Sequence, residues 1–336
     1  MLAIVSALIP ALILAASLIG GIAPTFAADK AIPINIGWQP GTFYAFYVAR
    51  DEKLFEKSGL QPNFVKFTAG PPMFAAFESS SIDVSWGGAV PAIVGYAQGV
   101  PLRVIALESV TKNALIVKSG SPIKDISDLA GKKIGTVKGS GAYFAMVKLL
   151  NSAGLEGKYE FVDMQMPSLL PAFSQGNVDA IWVWEPWASR AAAEGRRIAD
   201  EINIFGAYPG APIMARSGWL AEQPEAARRF LAAMHMAQAS YRSDPGRAIK
   251  AMATELGINE DMAADIFNAD PKPTFERQTT SRDKYAIAGG PQAAQVANFQ
   301  AIADFFFTAG LIKSRPDMAN GFDTKPLEAY MKAPSR

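Results

Sequence analysis

From residue 32 to residue 107 the chain keeps one rhythm: a short apolar run, a turn rich in glycine or proline, then a stretch with helical spacing. Ile32–Trp38 alternates apolar and polar positions as a half-buried strand does. Gln39-Pro40-Gly41-Thr42 is a turn, and Thr42 is placed to cap a helix over 43–57. Strands are expected over 62–67, 82–86 and 102–107, with helices over 73–79 and 92–98 between them. Alternating β and α units of this kind fold as a mainly parallel, doubly wound sheet with helices on both faces. Ligands in such sheets sit beyond the carboxyl ends of the strands. The loops at those ends, 39–42, 69–72 and 86–91, are all rich in glycine or proline and all lead into helices.

After a strand over 114–118 the rhythm restarts. Short helices or strands follow over 126–129, 133–137, 143–153, 159–164, 167–175 and 179–183. A further strand is expected over 213–216, preceded by Pro209-Gly210-Ala211-Pro212. From Pro224 onward the chain reads as mostly helical, including a helix over 292–308. The expected organisation is two lobes: residues 30–115 with 214–336, and residues 116–213. The chain passes between them near 114–118 and 212–216.

Several classes of chemistry are excluded by content. There is no cysteine, so disulfides, thiolate nucleophiles, Cys-based zinc sites and a lipid anchor on an N-terminal Cys are impossible. The single histidine, His235, stands in a helical context with no second histidine to join it. No Gly-x-Ser-x-Gly elbow supplies a nucleophile for a Ser-His-Asp triad. No acidic cluster has metal-ligand spacing, and Glu185 lacks a second carboxylate for paired acid–base work. No catalytic residue, metal or cofactor is expected. Net charge is +1. The longest basic runs are the pairs 132–133, 196–197 and 228–229, read as solvated faces, so nucleic acid is not an expected partner.

Residues 1–28 carry no charged side chain before Asp29, and the run from Leu2 to Ile22 is almost wholly apolar. Helix breakers near its end, with Thr25 and Ala27 at the −3 and −1 places, read as a secretory signal over 1–27. The run is also long enough to span a bilayer, though Pro10 and the glycines suit a signal better.

Two kinds of stretch point to a binding site. Lys138-Gly139-Ser140-Gly141 follows a strand and opens a helix, as does Gly87-Gly88. Backbone amides at such turns suit a small anion such as a sulfonate or carboxylate, although a plain β–α turn explains the glycines as well. Neither a P-loop nor a Gly-x-Gly-x-x-Gly motif is present, which argues against a nucleotide. Trp38, Phe43, Tyr44, Trp86 and Tyr143 lie on or beside these loops. The second stretch is Trp182-Val183-Trp184-Glu185-Pro186-Trp187, three indoles and a carboxylate at a strand end. Such residues line pockets or fill cores. By alternation Trp182 turns to the opposite face from Glu185 and is expected in the core.

Several segments together resemble the solute-binding proteins of ABC importers, in the branch that takes up taurine, alkanesulfonates, nitrate and related compounds. They are Ile36-Gly37-Trp38-Gln39, Phe67-Thr68-Ala69-Gly70-Pro71, Ser81-Ile82-Asp83-Val84 and Gly99-Val100-Pro101-Leu102. They continue with Asp128-Leu129-Ala130-Gly131-Lys132-Lys133-Ile134-Gly135, Gly176-Asn177-Val178-Asp179-Ala180, Val183-Trp184-Glu185-Pro186-Trp187 and Phe306-Phe307-Thr308-Ala309-Gly310-Leu311-Ile312. The resemblance implies a two-lobed, type II periplasmic-binding fold that closes by hinge motion. It implies a monomer that delivers a small anionic or zwitterionic ligand to an ABC permease and its ATPase in the periplasm. The implied ligand positions are Trp38, Gln39, Phe43, Tyr44, Gly70, Gly87, Gly88, Ala89, Lys138, Gly139, Ser140, Gly141, Tyr143, Trp184 and Glu185, with Trp187 beside them. On this reading Glu185 meets a ligand amine, and Lys138 bears on the choice of anion. The density of aromatic residues points to a ligand with more apolar surface than taurine. The resemblance leaves two alternatives: enzymes of the same fold, a pyrimidine-precursor synthase or a desulfinase type, both of which use a cysteine this chain lacks; and a sensory binding protein.

Overall fold

A computed structural model describes residues 30–68, 70, 72–201 and 209–333. The expected signal segment 1–27 lies outside the described residues. The strands form two five-stranded sheets. The first contains β1 (Ile32–Trp38), β2 (Leu60–Lys66), β3 (Val84–Trp86), β4 (Leu102–Val110) and β10 (Gly210–Arg216), in the order β2-β1-β3-β10-β4. The second contains β5 (Asn113–Lys118), β6 (Lys133–Thr136), β7 (Glu160–Asp163), β8 (Ala180–Trp184) and β9 (Gly195–Asp200), in the order β7-β6-β8-β5-β9.

Each sheet has one reversed strand. In the first, β1 runs parallel to β2 and β3, while β10 is antiparallel to β3 and β4. In the second, β6 runs parallel to β7 and β8, while β5 is antiparallel to β8 and β9. The reason is connectivity. β5 and β10 are the strands by which the chain enters from the other sheet, so they start where their neighbours end. Asn113 accordingly pairs with Trp184, and Gly210 with Val110. The chain crosses between Val110 and Asn113 and between Asp200 and Gly210, slightly outside the expected 114–118 and 212–216, because β5 and β10 belong whole to the sheets they enter.

The helix expected over 43–57 is two helices, α1 (Tyr44–Asp51) and α2 (Leu54–Lys57), divided at Lys53 with φ 55°. Thr42 does not cap α1. The cap is the Glu108 carboxylate, whose Oε1 accepts from the Ala45 amide at 2.7 Å and the Phe46 amide at 3.2 Å. Residues 44–49 of α1 are all buried, held between the sheet and the helices Pro224–Ser243 and Pro245–Leu256. A helix apolar all round is what two-sided burial demands. α3 (Pro72–Glu78) and α4 (Ala89–Ala97) follow β2 and β3.

In the second sheet, alternation along β8 sorts the core. Trp182 joins Leu115, Val117 and Ile134 under α5 (Gly141–Ser152), as expected. Ile181 and Val183 turn the other way, against α6 (Met166–Ser174) and α7 (Trp187–Ala192). Arg229 is not a solvated residue. It is buried and donates to the Gly59 carbonyl at 3.1 Å. Among the described residues no helix is long and apolar enough to cross a membrane.

Candidate functional site

Both sheets point the ends of their parallel strands into one cleft. From the first come Gln39–Phe43 after β1, Gly70, Gly87 and Gly88 after β3, Pro91 on α4, and Ala211 on β10. From the second come Ser140, Gly141, Trp184 and Glu185. The crossing segment, Thr111 and Lys112, with Val110 and Asn113 at the strand ends that flank it, forms the floor that joins them.

Nine of the expected ligand residues line this cleft: Gln39, Phe43, Gly70, Gly87, Gly88, Ser140, Gly141, Trp184 and Glu185. Seven do not. Trp38 is buried against Phe46 and Tyr47, with the Arg50 guanidinium 5.7 Å and the Lys66 ammonium 4.7 Å from its ring. Tyr44 is buried and donates its hydroxyl to Asp270. Ala89 is buried as the first residue of α4. Lys138 is exposed, and its amide donates to Asp163 at 2.9 Å. Gly139 serves the turn: its φ is 77°, a conformation that only glycine takes at little cost. Tyr143 packs on Phe144 and Phe161. Trp187 lies under the Arg190 guanidinium, 5.1 Å from its ring. For the four aromatic residues among them the cause is shared: an aromatic residue near a strand end satisfies the core as well as a pocket does.

Among the described residues the cleft offers hydrogen-bond donors without offering a free cation. α4 begins at Ala89 and α5 at Gly141, and the first amides of a helix have no partner within it. Ser140 caps α5: its Oγ accepts from the Tyr143 amide at 3.1 Å and donates to the Val137 carbonyl at 2.6 Å. A Cβ on Gly88 would come no nearer than 3.4 Å to Pro91, and one on Gly141 no nearer than 3.6 Å to Asn113. Packing therefore does not require glycine at these two positions, and a ligand could approach the backbone there. Gly70 differs, since a Cβ there would press on Pro91 at 3.1 Å. The buried Trp184 Nε1, Gln39 Oε1 and Thr111 Oγ1 have no partner among the described residues.

Glu185 is 5% exposed and fully engaged. Its Oε2 accepts from the Ser189 amide at 3.0 Å and hydroxyl at 2.7 Å, and its Oε1 accepts from Arg197 Nη2 at 2.9 Å. The role expected for it, meeting a ligand amine, thus competes with two partners already in place. Arg197, expected to be solvated, is the counter-charge. Lys112 pairs with Asp270, whose other oxygen receives the Tyr44 hydroxyl. Burial pushes the Asp270 carboxyl up, against the pull of the Lys112 ammonium. Burial likewise pushes Glu108 up to about 8, against its hydrogen bonds from the Phe46 and Ala45 amides. It also pushes Glu201, which accepts from Asn113 Nδ2 at 2.5 Å, up to about 8. Among the described residues no group of His, Asp and Glu could hold a metal ion. His235 lies away from the cleft, between the Tyr330 hydroxyl at 3.0 Å and Glu276 at 2.9 Å.

A profile of the NMT1/THI5-like family matches residues 41–248. The chain belongs to that family. The taurine-binding periplasmic protein of Escherichia coli is 26% identical over 261 residues, covering 74% of this chain and 81% of that one. The crystal structure of the periplasmic aliphatic sulphonate binding protein from Escherichia coli superposes with a TM-score of 0.70 at 26% identity, over 87% of this chain and 92% of that one. The alkanesulfonate-binding protein of Xanthomonas axonopodis pv. citri, solved bound to MOPS, gives a TM-score of 0.73 at 22% identity, over 88% and 99% of the two chains. This member of the NMT1/THI5-like family therefore has the two-lobed periplasmic-binding fold.

Proposed function

We propose that the chain is the extracytoplasmic solute-binding component of an ABC importer and takes a small organic sulfonate, of the alkanesulfonate or taurine type. It acts as a monomer in the periplasm once residues 1–27 are removed, and hands its ligand to the permease and ATPase. The observation that carries this reading is the convergence of the α4 and α5 amide ends, one from each sheet, on a cleft that also holds an unpartnered indole N–H. A sulfonate is a weakly basic acceptor with three oxygens, and dipolar donors suit it without a proton transfer. Two lobes that must both touch one head group close when it binds. Lobes divided between Val110 and Asn113 and between Asp200 and Gly210 suit such a hinge.

The seat comprises Gly87, Gly88, Ser140, Gly141, Trp184 and Gln39, with Phe43 and Gly70 shaping its walls. Glu185 acts as an organiser: it holds the start of α7 and the Trp184 backbone in place rather than receiving an amine. Calorimetric titration of the purified protein with propane-1-sulfonate, taurine, nitrate and propionate tests the reading. Sulfonates should bind and nitrate and propionate should not. Binding of none of the four, or of propionate alone, would overturn it.

A further inference from the structure

The floor of the cleft carries three polar side chains in a row, Thr111, Lys112 and Asn113. Two of them are engaged within the protein. Lys112 pairs with Asp270, and Asn113 Nδ2 donates to Glu201 at 2.5 Å. The Thr111 hydroxyl differs: its oxygen is buried and has no hydrogen-bond partner among the described residues. A buried hydroxyl without a partner is costly, so the position calls for a partner that the cleft itself brings. The residue is held in place by its backbone, because the Thr111 amide donates to the Pro209 carbonyl of the other crossing at 2.8 Å. A Cβ built on Gly88 would lie 3.8 Å from Thr111 Oγ1. The hydroxyl therefore borders the open space in front of Gly88, beside the first amides of α4. Donors thus face the cleft from three directions. The α4 end comes from the first sheet, the α5 end and Trp184 Nε1 come from the second, and the Thr111 hydroxyl comes from the floor between them.

We propose that the Thr111 hydroxyl donates to the third oxygen of the ligand's sulfonate, and so lets the cleft tell a sulfonate from a sulfinate of the same charge and chain length. This rests on the proposed binding of sulfonates in the cleft. A sulfonate is pyramidal and presents three oxygens; a sulfinate presents two oxygens and a lone pair on sulfur. With one oxygen turned to each lobe, the third sulfonate oxygen points to the floor, where Thr111 meets it. A sulfinate satisfies the two lobes and leaves the hydroxyl without a partner. A site that spends a buried hydrogen-bonding group on its ligand discriminates against the analogue that cannot pair with it. Thr111 is thus a specificity-determining residue in contact with the ligand, and it stands in the segment about which the lobes close.

The test compares propane-1-sulfonate with propane-1-sulfinate by calorimetric titration. The wild-type protein should bind the sulfonate about tenfold more tightly, the size of one hydrogen bond to a charged group. Thr111→Val keeps the shape of the side chain and removes the hydroxyl. It should weaken the sulfonate by about tenfold and leave the sulfinate within about threefold, so that the preference disappears. Thr111→Ser keeps the hydroxyl and should keep the preference. Thermal melts without ligand check that each variant is folded, and Thr111→Ala replaces Thr111→Val if the latter is not. A merely structural role for Thr111 would weaken both ligands alike and leave their ratio unmoved, and that result in a folded variant would overturn the proposal. Equal wild-type affinities for the two ligands would overturn it as well, whatever the variants do. Binding of neither ligand by the wild-type protein would be a different failure, that of the sulfonate reading itself, and would remove the inference with it.

Discussion

Glu201 stands where the chain leaves the second sheet, and its burial makes a measurable prediction. Its side chain is 1% exposed, Oε1 accepts from Asn113 Nδ2 at 2.5 Å, and Oε2 has no partner among the described residues. Burial raises its carboxyl from the ordinary 4.5 to about 8. In the unfolded chain the group is ionised above about pH 4.5; in the folded protein it stays protonated to about pH 8. Folding therefore takes up a proton throughout that window. The stability associated with the neutral group is fully present below the unfolded value and is lost as pH rises through the folded one. The slope is about 1.4 kcal/mol per pH unit, which amounts to roughly 3 kcal/mol at neutral pH. Glu201→Gln keeps the shape and the acceptor for Asn113 but takes up no proton. Its amide nitrogen replaces an unpartnered oxygen, at a cost of ~1–3 kcal/mol that does not vary with pH. The absolute stability of the variant is thus close to wild type near neutral pH, whereas the pH dependence is not. Urea unfolding followed from about pH 5 to about pH 8 should lose about one proton's worth of slope in Glu201→Gln. Glu108, also raised to about 8, keeps the rest of the slope in place. An unchanged slope in the variant would refute the claim that Glu201 is held neutral in the fold.

Three further outcomes follow from the site. Trp184→Phe removes the unpartnered Nε1 donor and should weaken propane-1-sulfonate by about tenfold or more, the size of a hydrogen bond to a charged group; Trp182→Phe, in the core, should lower the melting temperature and leave affinity within about threefold. Glu185→Gln loosens Arg197 and Ser189 and should weaken taurine and propane-1-sulfonate by similar factors in calorimetry; a loss confined to taurine would restore the direct amine contact expected from the sequence. Arg190 on α7 reaches across to the first sheet's helices, donating to the Leu256 carbonyl at 2.7 Å and the Gly257 carbonyl at 2.6 Å. Arg190→Ala should therefore speed ligand release by about tenfold in stopped-flow fluorescence with little change in the association rate, and a change confined to association would contradict this.

The fold was largely legible because its strands and turns are locally marked. The glycine-rich loops at strand ends located the cleft, and Gly87, Gly88, Ser140, Gly141 and Trp184 all face it. β9 was not legible: Gly195-Arg196-Arg197-Ile198-Ala199-Asp200 is a partly exposed edge strand with two arginines, and one-sided burial writes only a faint alternation. The start of β10 was hidden by Pro212, tolerated there because the register shifts between Ala211 and Pro212. Thr111 and Lys112 were missed because a two-residue crossing carries no periodicity, and Asn113 because it is the first residue of the strand that follows. Asp270 lies 158 positions from Lys112, a separation at which a single sequence gives no sign of pairing. Trp38, Tyr44, Tyr143 and Trp187 show the opposite error, in which the right residue type at the right end of a strand fills the core.

The central claim is that one sulfonate is held between the α4 and α5 amide ends. The most direct measurement is a crystal structure of the protein with propane-1-sulfonate. The account predicts sulfonate oxygens within hydrogen-bonding distance of amides at the starts of both α4 and α5 and of Trp184 Nε1. A sulfonate bound by one lobe alone, or seated against Lys112 with those amides unused, would contradict it.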